Sequence, residues 1–317
     1  MKIVILDGRT LNPGDNPWTS VEQLGDVTVY DRTTEAQFLE RAGDAEVLVI
    51  NKFKLTAQRL NSLPNLGYIA VTATGFDCVD IQSARSKGIP VSNVPIYGTD
   101  SVAQYVFAML FHILHRIDLH DQAIRAGEWQ ARGDFSFWLS PLTEIAGKTI
   151  GVVGFGRIGK QVGAIAQAMG MHVITATRRP PENAPGVRHV SLAELQQRAD
   201  IISLNCPLNN ETQQMVNQSF LANCRPNCVL INASRGALIC EQDLANALNQ
   251  GIIAAAGVDV ASTEPIERDN PLLTAKNLFI TPHLAWATLE ARQRLMQTTA
   301  DNIRSYIEGN PINVVNA

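Results

Sequence analysis

Thr149-Ile150-Gly151-Val152-Val153-Gly154-Phe155-Gly156-Arg157-Ile158-Gly159 is the stretch on which the reading of this chain turns. A run able to form a buried strand leads straight into G-x-G-x-x-G, helical spacing follows, and a second strand arrives at residues 172–177. The glycine pattern alone is weak. Strand, turn, helix and strand in that order is the context a dinucleotide-binding fingerprint requires. Its glycines permit a tight turn, close approach of backbone to a pyrophosphate, and close packing of helix on strand. The helix start offers N–H groups to the phosphates. Gly154, Phe155, Gly156, Arg157, Ile158 and Gly159 are therefore the expected cofactor loop.

The end of the next strand carries the choice of dinucleotide. An NAD-type site wants an acid there to accept from the ribose 2′-hydroxyl, roughly 20 residues on. Here Thr177 stands 18 residues past Gly159, and Arg178 and Arg179 follow. Two guanidiniums and no carboxylate suit a 2′-phosphate, so NADP(H) is the preferred cofactor, with NAD(H) possible. The alternative is a solvated basic loop beside an NAD site.

Outward from this core, short apolar runs alternate with helical spacing along most of the chain. Residues 3–6, 27–30, 47–50, 68–71 and 91–93 read as strands, with helices over 35–42, 56–63 and 80–87 between them. A second series has strands at 149–153, 172–177, 201–204, 229–232, 255–258 and 277–281. Its helices include one opened by the capping-box pattern Ser191-Leu192-Ala193-Glu194, and one over 241–249 stopped by Gly251. Alternation of this kind predicts an α/β fold of two doubly wound parallel-sheet domains joined by long helices. From Thr99 to Ala126 neither Pro nor Gly interrupts the sequence, which predicts one connecting helix roughly 40 Å long. Residues 128–147 read as a loop carrying Trp129, Phe135, Phe137 and Trp138, aromatics suited to a domain seam or a subunit interface. The last helix, about 289–308, has no strand of the second series to serve and is expected to return to the first domain. The predicted division is thus 1–98 plus 287–317, and 99–286.

Composition narrows the function. The 317 residues fit about two domains. Hydrophobic residues at 45% and charged ones at 18% give a globular chain with ample core. A net charge of −4, from 26 basic and 30 acidic side chains, argues against nucleic acid as a partner. No apolar run approaches the roughly 18 residues needed to span a bilayer. The five cysteines are an odd number, and Cys224 and Cys228 have no matching second pair. A disulfide framework and a zinc site are therefore not expected, and a reducing cytoplasmic setting is.

Three segments of the C-terminal half each follow a predicted strand: Ile231-Asn232-Ala233-Ser234-Arg235-Gly236, Gly257-Val258-Asp259-Val260 leading to Glu264-Pro265, and Thr281-Pro282-His283. Ligands of open α/β sheets lie beyond the carboxyl ends of the strands, so an Arg, a Glu and a His from distant positions can converge there. With these signatures behind the glycine motif, the whole chain resembles the D-2-hydroxyacid dehydrogenase family. That resemblance implies a flavodoxin-like substrate domain and a Rossmann coenzyme domain. It implies His283 as the acid of ketone reduction, Glu264 holding its ring and favouring the imidazolium, and Arg235 clamping the substrate carboxylate. It further implies that Asp259 touches the nicotinamide end and that Cys206, Pro207, Thr212, Ala233 and Ser234 line the cofactor. Thr74 and Gly75 would donate to the substrate carboxylate, and Asn51 and Lys52 would line the same cleft. His112, His115, His120, His172 and His189 are expected to be structural or solvated.

Within the family, Val71-Thr72-Ala73-Thr74-Gly75-Phe76, Thr99-Asp100-Ser101-Val102-Ala103-Gln104, Phe137-Trp138 and His283-Leu284-Ala285-Trp286-Ala287-Thr288 are most similar to the hydroxypyruvate reductase branch. The implied reaction is reduction of hydroxypyruvate to D-glycerate, with glyoxylate to glycolate as a second activity. A homodimer formed through the coenzyme domain is implied too, with Trp138 reaching towards the partner's site. Two alternatives stand beside this: a dinucleotide-sensing regulator on the same fold, and a dehydrogenase for another 2-keto acid. A formate-type dehydrogenase would have Gln where Glu264 stands.

Overall fold

Apolar strands separated by helices must be covered on both faces, and a parallel order follows from the crossovers. The computed structural model describes residues 1–317. The chain forms two compact units, Met1–Gly98 with Ala287–Ala317, and Thr99–Trp286.

In the first unit β1 (Lys2–Ile5), β2 (Asp26–Val29), β3 (Val47–Ile50), β4 (Tyr68–Val71) and β5 (Val91–Ser92) form one parallel sheet in the order β2-β1-β3-β4-β5. Every residue of β3 and β4 is buried, as their unbroken apolar sequences require. This is the flavodoxin-like order, in which the direction of winding reverses between β1 and β3. Asp7 sits at that reversal. Its carboxylate accepts from the backbone N–H groups of Asn51 (2.7 Å), Lys52 (2.6 Å) and Phe53 (2.9 Å), fixing the loop after β3.

Helix Leu289–Ile307 belongs to this unit, and the tail beyond it closes the β5 edge: Asn316 accepts from Val91 N–H at 2.9 Å and Val315 N–H donates to the Val91 carbonyl. Buried Arg292 donates to both oxygens of Asp15, at 2.6 and 2.7 Å, and to the Leu11 carbonyl. The guanidinium holds the Asp15 carboxyl below its ordinary 3.8. A carboxyl lowered in the folded state stabilises the fold above its ordinary range and loses that contribution as the pH falls from there through the lowered folded-state value. Arg292→Ala is therefore expected to lower Tm at neutral pH, with the gap to wild type shrinking on acidification to about pH 3. Thermal unfolding of both proteins across that range checks it; a gap independent of pH contradicts it.

The second unit holds β6 (Thr149–Val153), β7 (His172–Ala176), β8 (Val187–His189), β9 (Ile201–Leu204), β10 (Val229–Asn232), β11 (Ala255–Val258) and β12 (Leu278–Ile280). All pair in parallel, in the order β12-β11-β10-β9-β6-β7-β8. Read from β6, this is the dinucleotide-binding order, and the strand order reverses between β6 and β9.

Four local expectations need correction. The single helix over 99–126 is two, Thr99–His115 and Ile117–Arg125, because Arg116 takes a left-handed conformation (φ 44). Its guanidinium lies 5.1 Å from the Phe279 ring centre and His112 meets the same ring edge-on. The first helix is thus about 26 Å long, not 40. Residues 128–147 are not all loop: a short helix, Glu128–Arg132, stands between the left-handed glycines Gly127 and Gly133. Its Arg132 pairs with Glu128 at 2.9 Å and covers the Phe137 ring. Strand β8 went unpredicted, since it is three residues long with two polar side chains. At the capping box, Ser191 accepts from Glu194 N–H at 3.1 Å, but the Glu194 carboxylate is engaged by Arg188 and Arg198. No helix is long and apolar enough to cross a membrane.

Candidate active site

The second unit's loops after β6, β9, β10, β11 and β12 carry most of the expected residues. Gly154 has φ +85, and a Cβ built on it would lie 2.7 Å from the Cys206 backbone nitrogen. The loops after β6 and β9 are therefore packed backbone to backbone at the strand reversal, tied further by Asn205 N–H to the Val153 carbonyl at 2.7 Å. A Cβ on Gly159 would fall 2.2 Å from the Gly154 carbonyl oxygen, whereas one on Gly156 would meet nothing within 4 Å. Gly156 precedes helix Arg157–Ala168, so open space lies at the helix start, where a pyrophosphate must approach. These residues fit a dinucleotide. The Phe155 ring packs on Gly163, so it is the backbone of Phe155 that faces the turn.

After β7, Thr177 Oγ1 donates to the Arg179 carbonyl at 2.5 Å, and Arg178 and Arg179 are exposed and in no ion pair. After β9 the Cys206 side chain is buried beside Met215 Sδ (3.8 Å), and burial pushes its thiol up. Thr212 Oγ1 donates to the Pro207 carbonyl at 2.7 Å and Ser234 Oγ to the Cys206 carbonyl at 3.0 Å. Those hydroxyls are committed to loop shape, and the half-buried Ala233 packs against the apolar core beneath.

Arg235, Glu264 and His283 follow three neighbouring strands whose last residues are in register, Asn232 with Val258 and Val258 with Ile280. Buried Asn232 shapes the first loop, its amide donating to the Arg235 carbonyl (2.9 Å) and accepting from Ser234 N–H (3.1 Å). The next residue, Gly236, is pressed against the following loop: a Cβ there would lie 1.9 Å from the Ala261 carbonyl carbon. Ala261 N–H donates to Glu264 Oε1 at 3.2 Å, and Glu264 Oε2 stands 2.8 Å from His283 Nδ1. A continuous set of contacts thus runs from Arg235's neighbour to His283. The Arg235 guanidinium is exposed, donates to the Ser234 carbonyl, and forms no ion pair with a carboxylate.

His283 has a left-handed backbone (φ 57), and Asp259 holds it there. The Asp259 carbonyl accepts from His283 N–H at 2.8 Å, and its carboxylate accepts from Thr281 Oγ1 (2.6 Å), Leu284 N–H (2.7 Å) and Ala285 N–H (2.8 Å). The residue is 0% exposed. Its carboxylate is enclosed by the turn that carries the histidine. Buried Ser101 braces the same turn, donating to the Ala285 carbonyl at 2.6 Å.

In the first unit, the Asn51 side chain is turned towards the neighbouring loop. It is 4% exposed and donates to the Thr72 carbonyl (2.7 Å) and hydroxyl (3.1 Å), joining the loops after β3 and β4. Burial pushes the neighbouring Cys78 thiol up to about 11, and that thiol donates to the Asn51 carbonyl. Lys52 is exposed and in no ion pair. Thr74 gives its hydroxyl to the Val94 carbonyl and its carbonyl to Asn93, while the backbone N–H groups of Thr74 and Gly75 have no partner. Asp7, Asn232 and Ser101 are not among the expected site residues, although Asn232 and Ser101 lie within quoted signatures and Asp7 is a carboxylate directly after an apolar run.

Comparison with known proteins bears on this arrangement. The sequence model of the D-isomer specific 2-hydroxyacid dehydrogenase NAD binding domain matches residues 107–285. A hydroxypyruvate reductase of Blautia hydrogenotrophica is 46% identical, the match covering 100% of both chains. A glycerate dehydrogenase of Methylorubrum extorquens is 34% identical over 100% of this chain and 99% of its own. Among solved structures, an acyclic imino acid reductase in complex with NADPH and D-Arg superposes with a TM-score of 0.83 at 32% identity, covering 99% of this chain and 100% of that one. The chain belongs to the D-isomer-specific 2-hydroxyacid dehydrogenase family of oxidoreductases.

Proposed function

We propose that this enzyme reduces hydroxypyruvate to D-glycerate, and glyoxylate to glycolate, with His283 as the proton donor and NADPH as the preferred reductant. The observation that carries the reading is the 2.8 Å contact of His283 Nδ1 with Glu264 Oε2. With Nδ1 anchored, Nε2 is left as the nitrogen that exchanges a proton with the C2 oxygen. The reduced nicotinamide, when bound, supplies the hydride that C2 receives. The keto oxygen takes its proton from the imidazolium, and the neutral ring is left on Glu264. In the oxidative direction the same nitrogen removes the proton. Arg235 holds the substrate carboxylate in its fork and polarises the keto oxygen. Thr74 and Gly75, with N–H groups free of other partners, are proposed as carboxylate donors, and Lys52 as added positive charge.

Glu264→Gln keeps an acceptor for Nδ1–H but removes the negative charge facing the imidazolium. Turnover is expected to fall about tenfold or more with substrate KM little changed. Unchanged turnover would deny the carboxylate its role.

Preference for NADPH rests on Thr177 in the place of an acid and on two exposed, unpaired guanidiniums at Arg178 and Arg179. Replacing both arginines by alanine is expected to lower the NADPH-to-NADH ratio of kcat/KM by about 10-fold to 100-fold, the value of one or two charge-assisted contacts. An unaltered ratio contradicts the assignment. The relatives named hydroxypyruvate reductase and glycerate dehydrogenase support the substrate, and a panel of 2-keto acids assayed with both reduced cofactors tests it. Exposed Phe135 (94%) and Trp138 (67%) on the second unit support a homodimer. Five free cysteines are in keeping with a reducing cytoplasmic setting.

A further inference from the structure

Edge strand β8 brings one residue to the cofactor side that the reaction does not use. The register places His189 opposite Thr175, two residues before Thr177. From there His189 Nε2 donates to the Thr177 carbonyl at 3.0 Å, while Thr177 Oγ1 donates to the Arg179 carbonyl at 2.5 Å. Two carbonyl oxygens of the 177–179 turn are thereby committed to internal bonds. Each carries partial negative charge and, if turned outward, would repel an anion received by Arg178 and Arg179. The strand's arginine, Arg188, is paired with Glu194 at 3.0 Å. Of the two polar side chains of β8, it is therefore His189 that governs the turn.

We propose that His189 is a specificity-determining positioning residue for the dinucleotide's 2′-phosphate. By holding the Thr177 carbonyl it keeps the turn in the form in which Arg178 and Arg179 meet that phosphate. This rests on the NADPH preference proposed above. The ring is exposed, so its replacement leaves the core of the sheet intact.

Calorimetric binding of adenosine 2′,5′-bisphosphate and of adenosine 5′-monophosphate separates the effects, using wild type, His189→Ala, His189→Phe and His189→Gln. Kd for the bisphosphate is expected to rise about fivefold in the Ala and Phe variants, as for loss of one hydrogen bond. Monophosphate binding should change little, and Gln, whose amide can reach the same carbonyl, should restore the bisphosphate. The NADPH-to-NADH ratio of kcat/KM should fall in step. Equal weakening of both nucleotides, or an unchanged bisphosphate Kd, overturns the role of His189 while leaving the NADPH preference standing. A wild-type protein that binds both nucleotides alike overturns that preference, and the proposal with it.

Discussion

Replacing His283 by alanine is expected to lower kcat for hydroxypyruvate reduction by about 10²–10⁴-fold, the range of a positioned general acid. The structure says why the loss should fall on kcat. Nδ1 is held by Glu264 at 2.8 Å, and the backbone is held by the Asp259 carbonyl and carboxylate, so the ring is presented in one orientation before substrate arrives. Alanine removes the proposed proton donor but leaves the Asp259 bonds to Thr281, Leu284 and Ala285 in place. The turn should therefore survive, with Tm close to wild type and the dinucleotide KM little changed. Steady-state kinetics with thermal unfolding of the same sample checks both halves. Near-normal turnover would remove His283 from the mechanism.

Arg235→Ala should act on a different constant. An exposed guanidinium with no carboxylate partner in the protein is available for an anionic substrate. With Arg235 as the proposed clamp, its loss would remove a bidentate contact to the carboxylate and a dipole on the keto oxygen, expected to lower kcat/KM by about 10²–10³-fold. Most of this should appear as a raised keto-acid KM. Arg235→Lys should recover little, because an ammonium keeps the charge and loses the planar fork. Since Asn232 and Gly236 shape the loop through bonds and packing that do not use the Arg235 side chain, the variant should fold normally. An unchanged KM for hydroxypyruvate contradicts the clamp.

Much of this site was legible because its parts are local. The glycine motif, its flanking strands and the three signatures beyond β10, β11 and β12 are each contiguous in sequence, and a parallel sheet brings strand ends to one edge without further instruction. The rest is set by partners distant in sequence. Arg116 breaks a helix that its neighbours would continue, and Phe279, which its guanidinium covers, lies far along the chain. Asn51 and Asp259 look like site residues by type and place. Their side chains also bond Thr72 and the 281–285 turn, partners 21 to 26 residues further along the chain that local sequence does not announce. Asp7 is the same lesson reversed: an ordinary acid after a strand, it organises three N–H groups of the loop that carries Lys52. Strand β8 is too short and polar for periodicity to register, yet it delivers His189 to the cofactor turn.

Stereospecific reduction of a 2-keto acid with His283 as the acid is open to a single-turnover test. Purified protein in excess over NADPH is mixed with hydroxypyruvate, the single turnover is followed, and the product is resolved on a chiral column. One D-glycerate is expected per NADPH oxidised, with a turnover in His283→Ala slower by about 10²–10⁴-fold. L-glycerate as the product, or a His283→Ala protein that turns over at the wild-type rate, would contradict it.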